Sequence, residues 1–525
     1  MLLVFMSAAA QNEPVNRFHS FRFGGNTIMA RIKITSCWLG ACLSCLAFLG
    51  LARATDQPTF SAETLVDAQK RHERVAKRRQ GVDIICHRGA SEFAHENTLE
   101  AFRATFELGG DGNEFDIRKT KDGMLVVFHD DMLDRLTDGY GDVGDYTWQQ
   151  LQVFRFRNPG QFESQARIPT LVEVFELHRQ YAGLMHLDIK RQGLDRDIAD
   201  LLTRMDMWDH VAYCNMETGG IILKDPRLKL RRYKAPGLYG DRSEVFPDAI
   251  QAALKKPGDG LIVDDPRGVA VALGRELGPL SKDPVAAKLG PEFDYGTLPS
   301  EEELTAILRD AKDWNRVAES ESEKAESGRR IRARAKAAEQ MLAIHASSKE
   351  TFAALEDRVR NRSLHKDWMY HGFDGAMAIR SLILLKAPKA VELARFVLWR
   401  DDPALTPVVD PRWKNPRSWT DFRVKMVIFP ALAHCRGSAA EKLCRDYLAL
   451  SDEEARKIGP PQFEEAGKAL LAISPKEGTA VELMKHRLQA VRGRAILDCL
   501  AHADEAWAKT ALEKAAPHAL AYRVK

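Results

Sequence analysis

From residue 83 to about residue 275 the chain alternates short β-rich apolar runs with longer amphipathic ones, a pattern that predicts βα units around a mostly parallel sheet. The runs are Asp83 to Cys86, Asn113 to Ile117, Leu125 to Phe128, Leu184 to Ile189, His210 to Cys214, Leu228 to Tyr233 and Gly260 to Asp264, one fewer than an eight-stranded barrel needs. No further strand is legible between Tyr233 and Asp259. Only seven residues separate Ile117 from Leu125, too few for a helical crossover. Lys121-Asp122-Gly123 supplies turn chemistry there, and a hairpin about Asp122 would carry His129 back beside Asp116.

Past residue 275 the pattern changes. Residues 276–300 are rich in Pro and Gly and read as a linker, and from 301 onward the periodicity is almost wholly helical. The run from Glu319 to Arg334, acidic and then basic, reads as a solvated helix face. Ala390-Val391-Glu392-Leu393 recurs as Ala480-Val481-Glu482-Leu483, and Leu432-Ala433-His434 as Leu500-Ala501-His502. The first offset is near twice the length of a HEAT-type unit, so stacked helix pairs and an irregular bundle are both open. The expected class is therefore α/β: a TIM-type (β/α)8-like barrel with one βα unit missing or modified, followed by an all-α domain. The domain scheme is an upstream extension and signal at 1–54, an N-terminal helix or linker at 55–80, the barrel at 81–275, the linker at 276–300 and the helical domain at 301–525.

A chain of 525 residues is long enough for several such units. Its 77 basic and 74 acidic residues leave a formal charge of only +3, which argues against a nucleic-acid partner. Arg31 and Lys33 precede an apolar run from Ile34 to Leu51 that ends in Ala52-Arg53-Ala54, the layout of a cleaved secretory signal. A membrane anchor is the alternative, which Thr35, Ser36 and Ser44 within the run disfavour. Residues 1–28 fit neither role, and translation is expected to start at Met29. The protein is thus expected to be exported, periplasmic or secreted, with no stable membrane span after cleavage. Leu39-Gly40-Ala41-Cys42 resembles a lipobox and leaves lipoprotein anchoring as a minor alternative. Outside that segment stand Cys86, Cys214, Cys435, Cys444 and Cys499, an odd set without zinc spacing that reads as mostly buried thiols; pairing of Cys435 with Cys444 or Cys499 stays open. Trp368, Trp399, Trp413 and Trp419 read as core packing rather than a ligand surface, and the helical domain's partner is unknown.

The chemistry concentrates between residues 87 and 130. Glu114 and Asp116 are two apart on a predicted strand, so both face one side while Phe115 and Ile117 face the other. Asp188 and Lys190 repeat that arrangement on another strand. Three carboxylates without thiols favour one hard divalent cation, Ca2+ or Mg2+, with an internal salt-bridge network around Lys190 as the bland reading. His87 and His129 close strands at the end where barrel active sites lie. Imidazole, with an unperturbed pKa of about 6.5, can give or take a proton near neutrality, so the pair is assigned to acid and base without order. Arg88 offers a fork matched to phosphate oxygens and Lys190 a second positive charge.

The patterns His87-Arg88-Gly89, His95-Glu96-Asn97-Thr98, Glu114-Phe115-Asp116, Thr120-Lys121-Asp122-Gly123, His129-Asp130 and Asp188-Ile189-Lys190 occur in the order found in the glycerophosphodiester phosphodiesterase family, which residues 81–275 resemble. The resemblance implies a barrel enzyme that hydrolyses a glycerophosphodiester, a small molecule, to sn-glycerol 3-phosphate and an alcohol. It implies His87 and His129 as catalytic residues, Arg88 and Lys190 on the phosphate, and Glu114, Asp116 and Asp188 on the metal. Glu96 and Asn97 are supporting candidates at the site's edge, Asn97 reaching the first histidine or capping the helix through Phe102. The sequence departs from the family in His95 for Pro, Asp188 for Glu, Cys214-Asn215 for a Ser-Phe pair, and the missing aromatic motif near the end. The last two bear on the alcohol side of the substrate. Two alternatives stay open: a related phosphodiesterase acting on another phospholipid head group, and an inactive barrel whose helical half binds or scaffolds.

Overall fold

In the computed structural model the described residues are 21–23, 26–28 and 60–514, apart from 131–132, 134–135, 138, 140–141, 157–165, 216–219, 236, 241–242, 282–297, 311–319, 366–369, 401–421, 460 and 503. Two compact units result, Met1–Thr59 and Phe60–Lys525. In the first, β1 (Phe21–Phe23) and β2 (Asn26–Ile28) pair as an antiparallel hairpin. The expected signal, its cleavage site, the start at Met29 and the lipobox lie outside the described residues, as do Trp368, Trp413 and Trp419.

The second unit is built around β3 (Asp83–His87), β4 (Gly112–Lys119), β5 (Leu125–Val127), β6 (Leu184–Ile189), β7 (Val211–Cys214) and β8 (Gly260–Val263). The order β7-β6-β4-β3-β8 is parallel throughout, and β5 folds back antiparallel on β4 with Ile117 opposite Val127. The hairpin about Asp122 is therefore formed, and Gly123 takes its positive φ of 89°. Gly112 lets β4 and β6 approach; a Cβ there would lie 2.0 Å from the Leu184 carbonyl oxygen.

The expected strand from Leu228 to Tyr233 is not formed as such. Instead the Arg231 amide donates to Ala212 O at 2.8 Å, and Lys234 and Leu238 donate to Gly260 O and Ile262 O at 2.8 and 2.9 Å. This irregular segment bridges β7 and β8 and curls the sheet into a TIM-like form with five parallel strands among the described residues. Its pairing is confined to isolated bridges, Tyr233 with Gly260 and Leu238 with Val263, so no continuous ladder fixes a strand. His210, expected to open a strand, ends a 3-10 turn, Trp208–His210.

Alternation along the strands separates two layers. Phe115, Ile117, Leu187 and Ile189 are buried outward beneath the helices Leu99–Glu107, Leu171–Tyr181 and Asp195–Arg204, while Glu114, Asp116 and Asp188 share the inner face. The helix Leu65–Arg78, capped by Thr64, sits at the N-terminal end of the strands, where Arg78 pairs with Asp111 at 3.1 Å. Residues 275–281 pack rather than dangle: Gly278 donates to Glu107 O at 2.8 Å, and Ser281 to the Glu107 carboxylate at 2.9 Å.

From Glu301 onward the described chain is helical. The helices Ser438–Leu448, Phe463–Ile473 and Gln489–Ala501 pack next-but-one, and a single apolar core runs from Leu304 to Ala511. The repeated tetrapeptides occupy helices Ala390–Trp399 and Glu477–Met484, burying Ala390 with Leu393 and Ala480 with Leu483. Trp399 packs against this core and edge-on to Tyr447 at 5.8 Å. Cys86, Cys214, Cys444 and Cys499 are buried free thiols and Cys435 is half-buried. No helix among the described residues is long and apolar enough to cross a membrane.

Candidate active site

The site is assembled at the C-terminal ends of β3, β4, β6 and β8. Ligand atoms of Glu114, Asp116 and Asp188 lie within 4.8 Å of one another, as the strand register, with Asp116 opposite Asp188, requires. Lys190 reaches across them, its Nζ 2.7 Å from both Asp116 and Asp188. Asn215, from the segment after β7, donates to Asp188 at 3.0 Å and also pairs with the Ile189 backbone.

His87 ends β3, and its Nδ1 is 3.0 Å from an Asp264 carboxylate oxygen at the end of β8. The other Asp264 oxygen accepts from the Gly240 amide at 2.8 Å. Tyr239 lies against the His87 ring, with centroids 4.7 Å apart, and is itself 44% exposed. His129 follows β5 and is backed in the same way, Nδ1 to Asp130 at 2.6 Å, while its carbonyl oxygen accepts from Arg118. Both imidazoles thus have Nδ1 oriented by a carboxylate, which leaves Nε2 as the nitrogen for proton transfer.

Arg88 adopts a left-handed backbone, φ 61°, that aims its own amide at Glu114 at 2.9 Å and its guanidinium at Glu96 at 3.0 Å. Gly89 must follow it, because at φ 82° a Cβ would lie 2.8 Å from that of Ala101. Asn97, φ 59°, is fully buried and donates to Asp116 at 2.6 Å. It therefore reaches the acid rather than His87, and Thr98, not Asn97, caps the helix Leu99–Glu107.

Charge in this pocket is unbalanced. Burial, and then the like charges of Asp116 and Asp188, push the Glu114 carboxyl well above its usual range. Burial acts the same way on Asp116, but His129, Lys190 and Arg88 outweigh it and hold that carboxylate low, which also places His129 within electrostatic reach of the acids. Burial would lower Lys190, and its two carboxylate partners overcome this and raise it. Oxygen donors at this spacing, one of them destabilised as an anion by its neighbours, fit a hard divalent cation. His186, opposite Glu114 on β6, was not anticipated from sequence; burial first of all pushes it to about 4, and it meets the Tyr233 hydroxyl at 3.0 Å. Asp264, Asn215 and Tyr239 were also missed as site residues. Asp264 and Asn215 directly follow β8 and β7, a position readable from the sequence, whereas Tyr239 lies in the irregular segment and carries no such signal.

The sequence model of the Glycerophosphoryl diester phosphodiesterase family matches residues 87–208. A Glycerophosphodiester phosphodiesterase of Caldanaerobacter subterraneus is 44% identical over 20% of this chain and 44% of its own length. The protein named "Putative glycerophosphodiester phosphodiesterase YhdW" of Bacillus subtilis is 38% identical over 34% of this chain and 68% of its own. The chain belongs to the glycerophosphodiester phosphodiesterase family. A crystal structure of a Glycerophosphoryl diester phosphodiesterase from Parabacteroides distasonis aligns with 40% of this chain and 93% of that one at 24% identity and a TM-score of 0.32. The chain thus spans less than half of the first relative and about two thirds of the second. Two of the departures noted in the sequence meet here, because Asn215 holds Asp188 in place.

Proposed function

We propose that the protein hydrolyses a glycerophosphodiester to sn-glycerol 3-phosphate and an alcohol. The observation that supports this most is the pair of carboxylate-backed histidines, His87 with Asp264 and His129 with Asp130, the first opposite Glu114 on the neighbouring strand and the second within electrostatic reach of Asp116. One imidazole removes a proton from the attacking water as its oxygen bonds to phosphorus; the other delivers a proton to the departing alcohol oxygen as that P–O bond breaks. Arg88 and Lys190 lie where they can bind phosphoryl oxygens and offset the charge growing there. Glu114, Asp116 and Asp188 would hold one divalent cation, Ca2+ or Mg2+, which when bound supplies Lewis-acid polarisation of the phosphate. The helical region would be a HEAT-like stack, and the enzyme an exported one.

The test is incubation of purified protein with glycerophosphocholine and, separately, with phosphoinositide and sphingolipid substrates, identifying the phosphorylated product. Release of sn-glycerol 3-phosphate, abolished by a chelator and restored by a divalent cation, is expected. Turnover of the lipids alone would move the substrate assignment, and turnover of none would remove the activity. N-terminal sequencing of exported protein, with Thr55 expected first, tests the export reading.

A further inference from the structure

The segment from Arg88 to Asn97 carries three groups of the site, yet both its ends sit in left-handed backbone at residues that have a Cβ, φ 61° and 59°. The Asn97 amide closes it onto Arg88 O at 2.9 Å. Such conformations persist where the surroundings over-determine them. On one side the restraint is Asp116 holding Asn97. On the other it is the helical region, about 400 residues away in sequence.

Arg494, from the helix Gln489–Ala501, makes an ion pair with Glu92 at 2.5 Å, both side chains buried. The guanidinium is oriented from behind by Asp498 at 2.9 Å, with Glu464 of the helix Phe463–Ile473 at 3.8 Å. Around this pair Ile496 and Leu497 enter the same apolar cluster as Ile84, Cys86, Ala90 and Val263, with Phe93 packed beside them. The same helix also meets the turn Ser243–Val245, and Arg492 stacks over Phe246 at 5.7 Å. That turn follows Gly240, whose amide holds Asp264 behind His87. One helix therefore abuts both the loop presenting Asn97 and the segment orienting the first histidine's carboxylate. The apolar contacts hold the helix against the barrel loop. A buried ion pair adds little to that, and its best use is to set register.

We propose that the helical region is a clamp that completes the catalytic pocket, with Arg494 as a positioning residue acting through Glu92 on the loop that bears Glu96 and Asn97. The clamp rests on the phosphodiesterase reading for its effect on turnover, but not for its effect on the loop. The test uses the full chain with Arg494→Leu, Arg494→Lys and Glu92→Gln, measuring glycerophosphocholine kinetics and backbone hydrogen exchange. Arg494→Leu and Glu92→Gln are expected to lower kcat roughly tenfold or more with a smaller change in KM, the size of effect usual for an outer-shell partner. Amides of residues 90–98 should exchange faster while those of the helix Leu65–Arg78 stay protected. Arg494→Lys, which keeps the charge but loses the fork, should restore part of both effects. Unchanged exchange at 90–98 in the two folded variants, or a loss of protection throughout the barrel that tracks the loss of activity, would overturn the proposal. If the wild-type protein turns over no glycerophosphocholine the activity reading fails, while the exchange comparison still decides the clamp.

Discussion

The two ends of the curled sheet use the same residue types to opposite effect. At the N-terminal end the buried acids sit among arginines, although burial still pushes the Asp83 carboxyl up to about 6: Asp111 accepts from Arg78 and Arg275 at 3.1 and 2.7 Å and from the Ile84 amide at 2.9 Å. Asp83 accepts from Arg231 and from the Tyr213 hydroxyl at 2.5 and 3.0 Å, and Arg71 from the helix Leu65–Arg78 is shared by Glu63 and Asp206. At the C-terminal end three crowded acids lean on Lys190 and Arg88, and Glu114 is pushed up by its neighbours. Paired charge makes a closed floor. Crowded like charge, costly to bury, marks the end that could hold a cation.

The largest effect expected is at the open end. His129→Ala should lower kcat by roughly 10²–10⁴ with little change in melting temperature; steady-state kinetics with unaltered turnover would remove its acid–base role. At the closed end the consequences invert. Asp111→Ala leaves two arginines with only backbone carbonyls as partners and should cost about 3 kcal/mol in urea unfolding while leaving turnover per folded molecule intact. Its counterpart Glu114→Gln, in divalent-free buffer, should leave stability unchanged or raised, because it removes a crowded carboxylate. A loss comparable to that of Asp111→Ala would erase the contrast between the ends.

The buried histidines of the structural layers give a smaller, graded effect. His178, whose Nδ1–H donates to Val174 O at 2.7 Å, is pushed by burial to about 4, and burial likewise lowers His210. The unfolded chain protonates these rings near 6.5, so stability is full above that pH. For His178 it is then lost as pH falls through the window down to about 4, by about 1.4 kcal/mol per pH unit, and His210 contributes in the same direction. Denaturant melts across that window should show the slope, shallower in His178→Gln; a flat profile would mean the rings protonate in place. The smallest effect expected is at Asn215→Ala, which frees Asp188 and should reduce kcat about tenfold, read against the cation concentration needed for half activity.

Much of the acid trio was legible because strand periodicity is local: Glu114, Asp116 and Asp188 needed only alternation and a strand assignment. The hairpin was legible for a similar reason, a turn too short for anything else. Asp264 was not legible as the partner of His87, since the two lie 177 residues apart and meet only when β8 pairs with β3. Asn97 was placed near the site but given the wrong partner. Its left-handed backbone, which turns the side chain to Asp116, follows from the packing of the loop and not from its spacing. The stretch from Leu228 to Tyr233 shows the converse error, a β-rich composition that makes only single backbone bonds and isolated bridges to its neighbours instead of a ladder.

Taken alone, the order of residues determined which side chains share a strand face, where the chain turns back, and the family to which residues 87–208 belong. Tertiary structure decided what stands behind each catalytic candidate: Asp264, Asn215 and the Glu92–Arg494 contact between barrel loop and helical region. Neighbours in sequence are set by local geometry, with periods of two and 3.6. Partners hundreds of residues apart depend on sheet closure and helix docking, which no local period records.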